Sequence, residues 1–173
     1  MNKFLCFLVI FFLFISCSKT SKKGILINEK IDYKSLNSFI KDSLPSFRTF
    51  DESYNEIFNL WEETKVIKSS IELISKEARQ LSFFLDNLKI EIVKVNDKRI
   101  FRPFNIPQVI GRFRVYKTNI LKINSNKIDS KNIRLFKNDL KSIVISYNAL
   151  INTMNKVAKE SIENNKETII LDE

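Results

Sequence analysis

Residues 49–95 read TFDESYNEIFNLWEETKVIKSSIELISKEARQLSFFLDNLKIEIVKV, and their spacing decides the fold class. Ile57, Leu60, Thr64, Ile67, Ile71, Ile74, Ala78, Leu81, Leu85, Leu88, Ile92 and Val95 follow one another in steps of three and four, and only Thr64 is polar. Such steps keep side chains on one side of a 3.6-residue helix, which is a heptad seam. Neither glycine nor proline interrupts residues 46–102. Thr49 and Glu52 stand at capping-box spacing, where hydroxyl and carboxylate satisfy each other's backbone donors. The reading is one helix over about residues 50–94, roughly 65 Å long. Phe58, Trp61, Leu73, Phe83 and Phe84 widen the apolar stripe, so more than one further helix is needed to cover it.

Those partners are legible on either side. Upstream, Asp32 can cap a short helix over residues 32–44 whose apolar face is Tyr33, Leu36, Phe39 and Ile40, ended by Pro45. Downstream, residues 96–106 are a turn broken by Pro103, and Pro107 suits the first turn of a helix over 107–123. Val109, Phe113, Tyr116, Ile120 and Ile123 form its stripe, and Gly111 falls away from it. After a turn at 124–127, Asp129 or Ser130 caps a helix over 130–165. Its seam is Ile133, Phe136, Leu140, Ile143, Tyr147, Leu150, Met154, Val157 and Ser161, doubled by Val144, Ile151 and Ala158. Short turns favour antiparallel neighbours. The expected architecture is all-α: an elongated up-and-down bundle over 32–165, with three main helices, a short N-terminal helix and a tail at 166–173.

The N-terminus has a different character. Lys3 precedes an apolar run from Phe4 to Ile15, too short for a transmembrane helix of about 20 residues. The run ends Phe14-Ile15-Ser16-Cys17-Ser18. This resembles the lipobox of bacterial lipoproteins, with Phe14 where that family usually has leucine. The resemblance implies a signal peptide at 1–16, cleavage after Ser16, lipid attached to the Cys17 sulfur, and a flexible tether over 17–31. It also implies sorting to the outer membrane, facing the periplasm, because Ser18 and not aspartate follows the cysteine. Cys6 leaves with the signal peptide, so no disulfide is expected.

Charge is unevenly spread. The chain has 29 basic and 20 acidic residues, a net +9. Residues 97–127 hold Lys98, Arg99, Arg102, Arg112, Arg114, Lys117, Lys122 and Lys127 against Asp97 alone. Basic surface favours anionic partners such as lipid headgroups, lipopolysaccharide phosphates, acidic glycans or acidic proteins. Nucleic acid does not fit a lipid-anchored envelope protein. Arg99, Phe101, Arg102 and Phe104 make a basic, aromatic turn, placed by the long helix at the tip furthest from the membrane. Arg112, Arg114 and Lys117 continue the cationic surface, and all seven are candidate contacts.

No constellation for chemistry emerges. Ser38-Phe39-Ile40-Lys41 and Ser146-Tyr147-Asn148 match fragments of penicillin-binding motifs, but Lys117-Thr118-Asn119 lacks the glycine of the third, and the strands are missing. Glu62 and Glu63 point about 100° apart on a helix. There is no histidine, and neither metal nor cofactor is expected. The expectation is a non-enzymatic scaffold, adaptor or accessory subunit. The alternative is a binder of an anionic envelope ligand through 97–127.

Overall fold

The computed structural model describes residues 32–75, 77–96, 100–125, 128 and 131–171, and no side chain at 71 or beyond 164. The lipobox, Cys17, the tether, Arg99 and the predicted caps at Asp129 and Ser130 lie outside the described residues. Within them there is no strand. Six α-helices follow one another: α1 Tyr33–Asp42, α2 Asn55–Asn59, α3 Thr64–Ile74, α4 Leu81–Lys94, α5 Pro107–Lys122 and α6 Ile133–Leu171. Short 3-10 turns at Glu52–Tyr54 and Ala78–Gln80 precede α2 and α4.

α1 forms as its sequence predicts. The Asp32 carboxylate accepts from the Ser35 N–H at 3.1 Å, and Leu36 and Ile40 are buried. α5 begins at Pro107 and buries Val109, Phe113, Tyr116 and Ile120. α6 buries Phe136, Leu140, Ile143, Tyr147, Leu150, Met154 and Val157, with Val144, Ile151 and Ala158. It runs on to Leu171, through much of the segment read from sequence as a separate tail.

The single helix over 50–94 is not there. The chain breaks at residues 60–63 and again between Ile74 and Leu81. At the first break Thr64 Oγ1 turns back to the carbonyls of Trp61 and Phe58, at 2.7 and 2.9 Å. At the second, Ser75 Oγ donates to the Glu72 carbonyl, and Glu77 is extended at φ −65°, ψ 135°. Hydroxyls satisfy nearby carbonyls where the ladder stops, and neither break needs glycine or proline. The Ala78 N–H donates to Asn37 Oδ1 of α1 at 2.9 Å, which ties the second break to another element. The breaks let α3 and α4 pack on each other. The seam's phase survives them: Thr64, Ile67, Ile74, Ala78, Leu81, Leu85, Leu88, Ile92 and Val95 are all buried. Leu60 is the departure, 57% exposed because α2 ends one residue before it. No single 65 Å helix leads into the turn after α4.

The capping box is also replaced. Asp51 caps, accepting from the Ser53 N–H at 3.0 Å, while Thr49 lies in an extended strap that joins α1 to α2. Two asparagines of α6 hold that strap. Asn148 donates to the Ser46 carbonyl and accepts from the Arg48 N–H, both at 2.8 Å. Asn155 does the same with the Thr49 carbonyl and the Asp51 N–H, both at 3.0 Å. Seven residues of α-helix advance about 10.5 Å, and three of extended polyproline-II-like chain about 9.3 Å. The two repeats nearly match, so one strap turn lies along two helix turns. The strap delivers Phe50 onto Phe58, ring centroids 4.6 Å apart.

Candidate docking groove

α5 lies between α4 and α6. Lys89 Nζ on α4 donates to the Ile123 carbonyl at 2.6 Å, and Lys117 Nζ on α5 donates to the Val95 carbonyl at 2.9 Å, so α4 and α5 run antiparallel. On the other flank, Asn119 Nδ2 reaches Ser146 Oγ at 3.1 Å and Lys122 pairs with Asp139 at 3.2 Å. Contact between α5 and α6 is the most extensive of any pair.

Their shared outer face is an open groove. One stretch, about 780 Å³, is lined by Pro107, Gly111, Arg112, Val115, Thr153 and Lys156, among others. A shallower stretch of about 280 Å³ continues from Arg112 and Val115 past Asn119, Ser142, Ile145 and Ala149. Val115 and Ile145 are each 52% exposed. Gly111, Ser142, Ser146 and Ala149 keep parts of the wall low. A Cβ built on Gly111 would meet nothing within 4 Å, so the α5 backbone itself is open to approach there. Lys156 pairs with Glu160 at 3.6 Å, whereas Arg112 has no ion pair among the described residues. The groove therefore offers an apolar centre, close backbone approach and one uncommitted guanidinium.

The six contact candidates among the described residues scatter. Phe104 is fully buried, stacked on Phe58 at 5.6 Å and lying 6.1 Å from the Trp61 ring, so it is core and touches no partner. Phe101, three residues earlier, is 46% exposed, and Arg102 is exposed beside it, at a cis Arg102–Pro103 bond. Lys117 is spent on the carbonyl end of α4, the favoured place for a cation. Arg112 and Arg114 are about 200° apart around α5, and only Arg112 lines the groove. The cations of residues 102–122 therefore do not share one face. Sequence reasoning missed Val115, Ile145 and Gly111 because a stripe analysis reads the buried side of a helix.

A second cleft, about 690 Å³, lies beside the strap, lined by Arg48, Lys68, Glu72, Tyr147 and Asn155 among others. The Tyr147 phenol is pushed up to about 12 by burial and then by the Glu72 carboxylate. It stays protonated near neutral pH and is no base there. Deeper in, Tyr116 bonds the Ser70 hydroxyl, and burial raises its phenol further still, against the lowering effect of that bond. Among the described residues no group of three or more His, Cys, Asp or Glu side chains is placed to hold a metal, and no helix is long and apolar enough to cross a membrane. Comparison with family models, curated proteins and solved structures finds no match.

Proposed function

We infer that this chain is a lipid-anchored, non-catalytic adaptor of the bacterial envelope, facing the periplasm from the outer membrane and docking a partner helix in the groove between α5 and α6. The observation that carries the docking reading is the pair Val115 and Ile145, half-exposed on an open groove with a bare backbone at Gly111. Apolar side chains gathered on a concave face are where a partner helix gains most. Small wall residues let its backbone come close. Arg112 favours a partner with an acidic residue beside its apolar stripe. The anchoring reading rests on the likeness of residues 14–18 to a lipobox.

Each half has its own test. A photo-crosslinker at position 115 should capture one envelope protein that the same crosslinker at exposed Lys141 does not. Ile145→Glu should abolish that capture with helicity unchanged. Equal capture from both positions removes the groove as a docking site. For the anchor, fatty-acid labelling should be lost in Cys17→Ser, and continued labelling of that variant would overturn it.

A further inference from the structure

α4 is apolar on two opposite sides. Leu81, Leu85, Leu88 and Ile92 face the core. Phe83, Ile90 and Val93 point the other way and are 64%, 58% and 58% exposed. Phe83 and Ile90 are two turns apart on the far side, with Asp86 and Asn87 on the turn between them, and Val93 lies one turn further and partly round the helix, so the exposed apolar patch is about 15 Å long. A helix packed on one side needs one apolar face, so the second is available for something outside the fold.

The position of α4 says what that is. Residues 18–31, a stretch of 14, separate Cys17 from Asp32, where the described fold begins. Fourteen residues reach at most about 50 Å even when fully extended, so the fold stays within that distance of an anchor at Cys17. The fold begins at α1, and α1 is bonded through Asn37 to Ala78, three residues before α4 starts. Asp32 and Phe83 each lie five residues from that bond. The first described helix therefore sits against the end of α4 that carries the exposed phenylalanine. The charges of α4 are balanced: Lys89 lies 3.8 Å from Asp86 and Lys94 lies 2.6 Å from Glu91. Approach to an interface then costs little in unpaired charge.

We propose that the outer stripe of α4, Phe83, Ile90 and Val93, rests on the lipid surface that holds the anchor. The inference rests on the anchored reading of Cys17. The domain is then fixed to the bilayer at two points, the lipid and the stripe. Since α5 stands between α4 and α6, the docking groove is on elements away from the stripe. The contact is apolar and not coulombic, so it withstands salt.

The test uses the mature chain carrying Cys17→Ser, sedimented with vesicles of phosphatidylethanolamine and phosphatidylglycerol. Without its lipid the chain should still pellet with vesicles, at low and at high salt. Phe83→Ser with Ile90→Ser should weaken partitioning roughly tenfold or more, with circular dichroism unchanged because both sites are exposed. No pelleting by the parent chain overturns the proposal, as does undiminished pelleting by the double variant. A parent chain that is dimeric without vesicles, and monomeric once Phe83 and Ile90 are replaced, overturns it in favour of a second copy. Fatty-acid labelling of Cys17 is read separately, so loss of the anchor reading is distinguishable from loss of the stripe.

Discussion

Replacing Asn148 or Asn155 with alanine should loosen the strap that joins α1 to α2. Each asparagine makes two hydrogen bonds to strap backbone. A typical intramolecular hydrogen bond contributes about 1 kcal/mol net, and the freed groups can be hydrated because the strap is exposed. The full penalty for a buried orphan is therefore avoided, and each variant should cost about 1–2 kcal/mol. Alanine is the better helix former by roughly 0.5 kcal/mol, so Asn138→Ala, on an exposed turn of α6, supplies the correction. The double variant should cost less than the sum, since a strap released at one clamp holds less at the other. Asn→Asp should be no milder, because it keeps the acceptor but sets a carboxylate against a carbonyl. Trp61 is the single tryptophan and only 2% exposed, so its fluorescence reports urea unfolding directly. If both alanine variants lie within about 0.3 kcal/mol of the parent after correction, the clamps do not hold the strap.

The two phenylalanines of one turn should part company: Phe104→Ala should cost about 3–5 kcal/mol and Phe101→Ala under about 0.5 kcal/mol in the same urea assay, and equal costs would contradict their burial. Trp61 Nε1 is buried with no hydrogen-bond partner among the described residues, so Trp61→Phe trades lost ring volume against removal of an orphan donor worth about 1–3 kcal/mol. The net change in thermal midpoint should be small, and a large fall would mean that the indole has a partner. Tyr116 and Tyr147 are held protonated above the ordinary tyrosine value near 10. Above that pH the unfolded chain binds fewer protons than the folded one, so stability present below pH 10 should fall as pH rises past it. Tyr147→Phe should reduce that slope, and a urea midpoint flat between about pH 9 and 11 would refute the assignment.

Periodicity carried the helical faces well, because burial follows the stripe whether or not the helix is continuous. Ile67 and Leu88 are buried on opposite sides of a break that their spacing gives no hint of. The break itself was illegible because neither glycine nor proline marks it, and the bond that holds the chain there comes from Asn37, 41 residues away. The basic turn misled for a related reason. Phe101 and Phe104 share one composition, and only the packing of Phe58 and Trp61 against the second separates them. Asn148 and Asn155 did leave a trace, two asparagines a heptad apart beside a buried stripe. Their partners are 100 or more residues away in sequence, so the pattern alone names no role.

The strap also decides which changes in the gene the fold will accept. Arg48 and Thr49 are exposed, and the clamps touch only backbone, so substitutions there should pass almost unnoticed. Length is another matter. One residue inserted between Arg48 and Thr49 carries the second bonded pair about 3 Å along and a third of a turn round, out of reach of Asn155. One residue inserted in α6 between Asn148 and Asn155 swings the second amide about 100° away. Two segments on opposite sides of the sequence are thus locked to each other in length while free to drift in identity, as a vernier is set by its spacing and not by its markings.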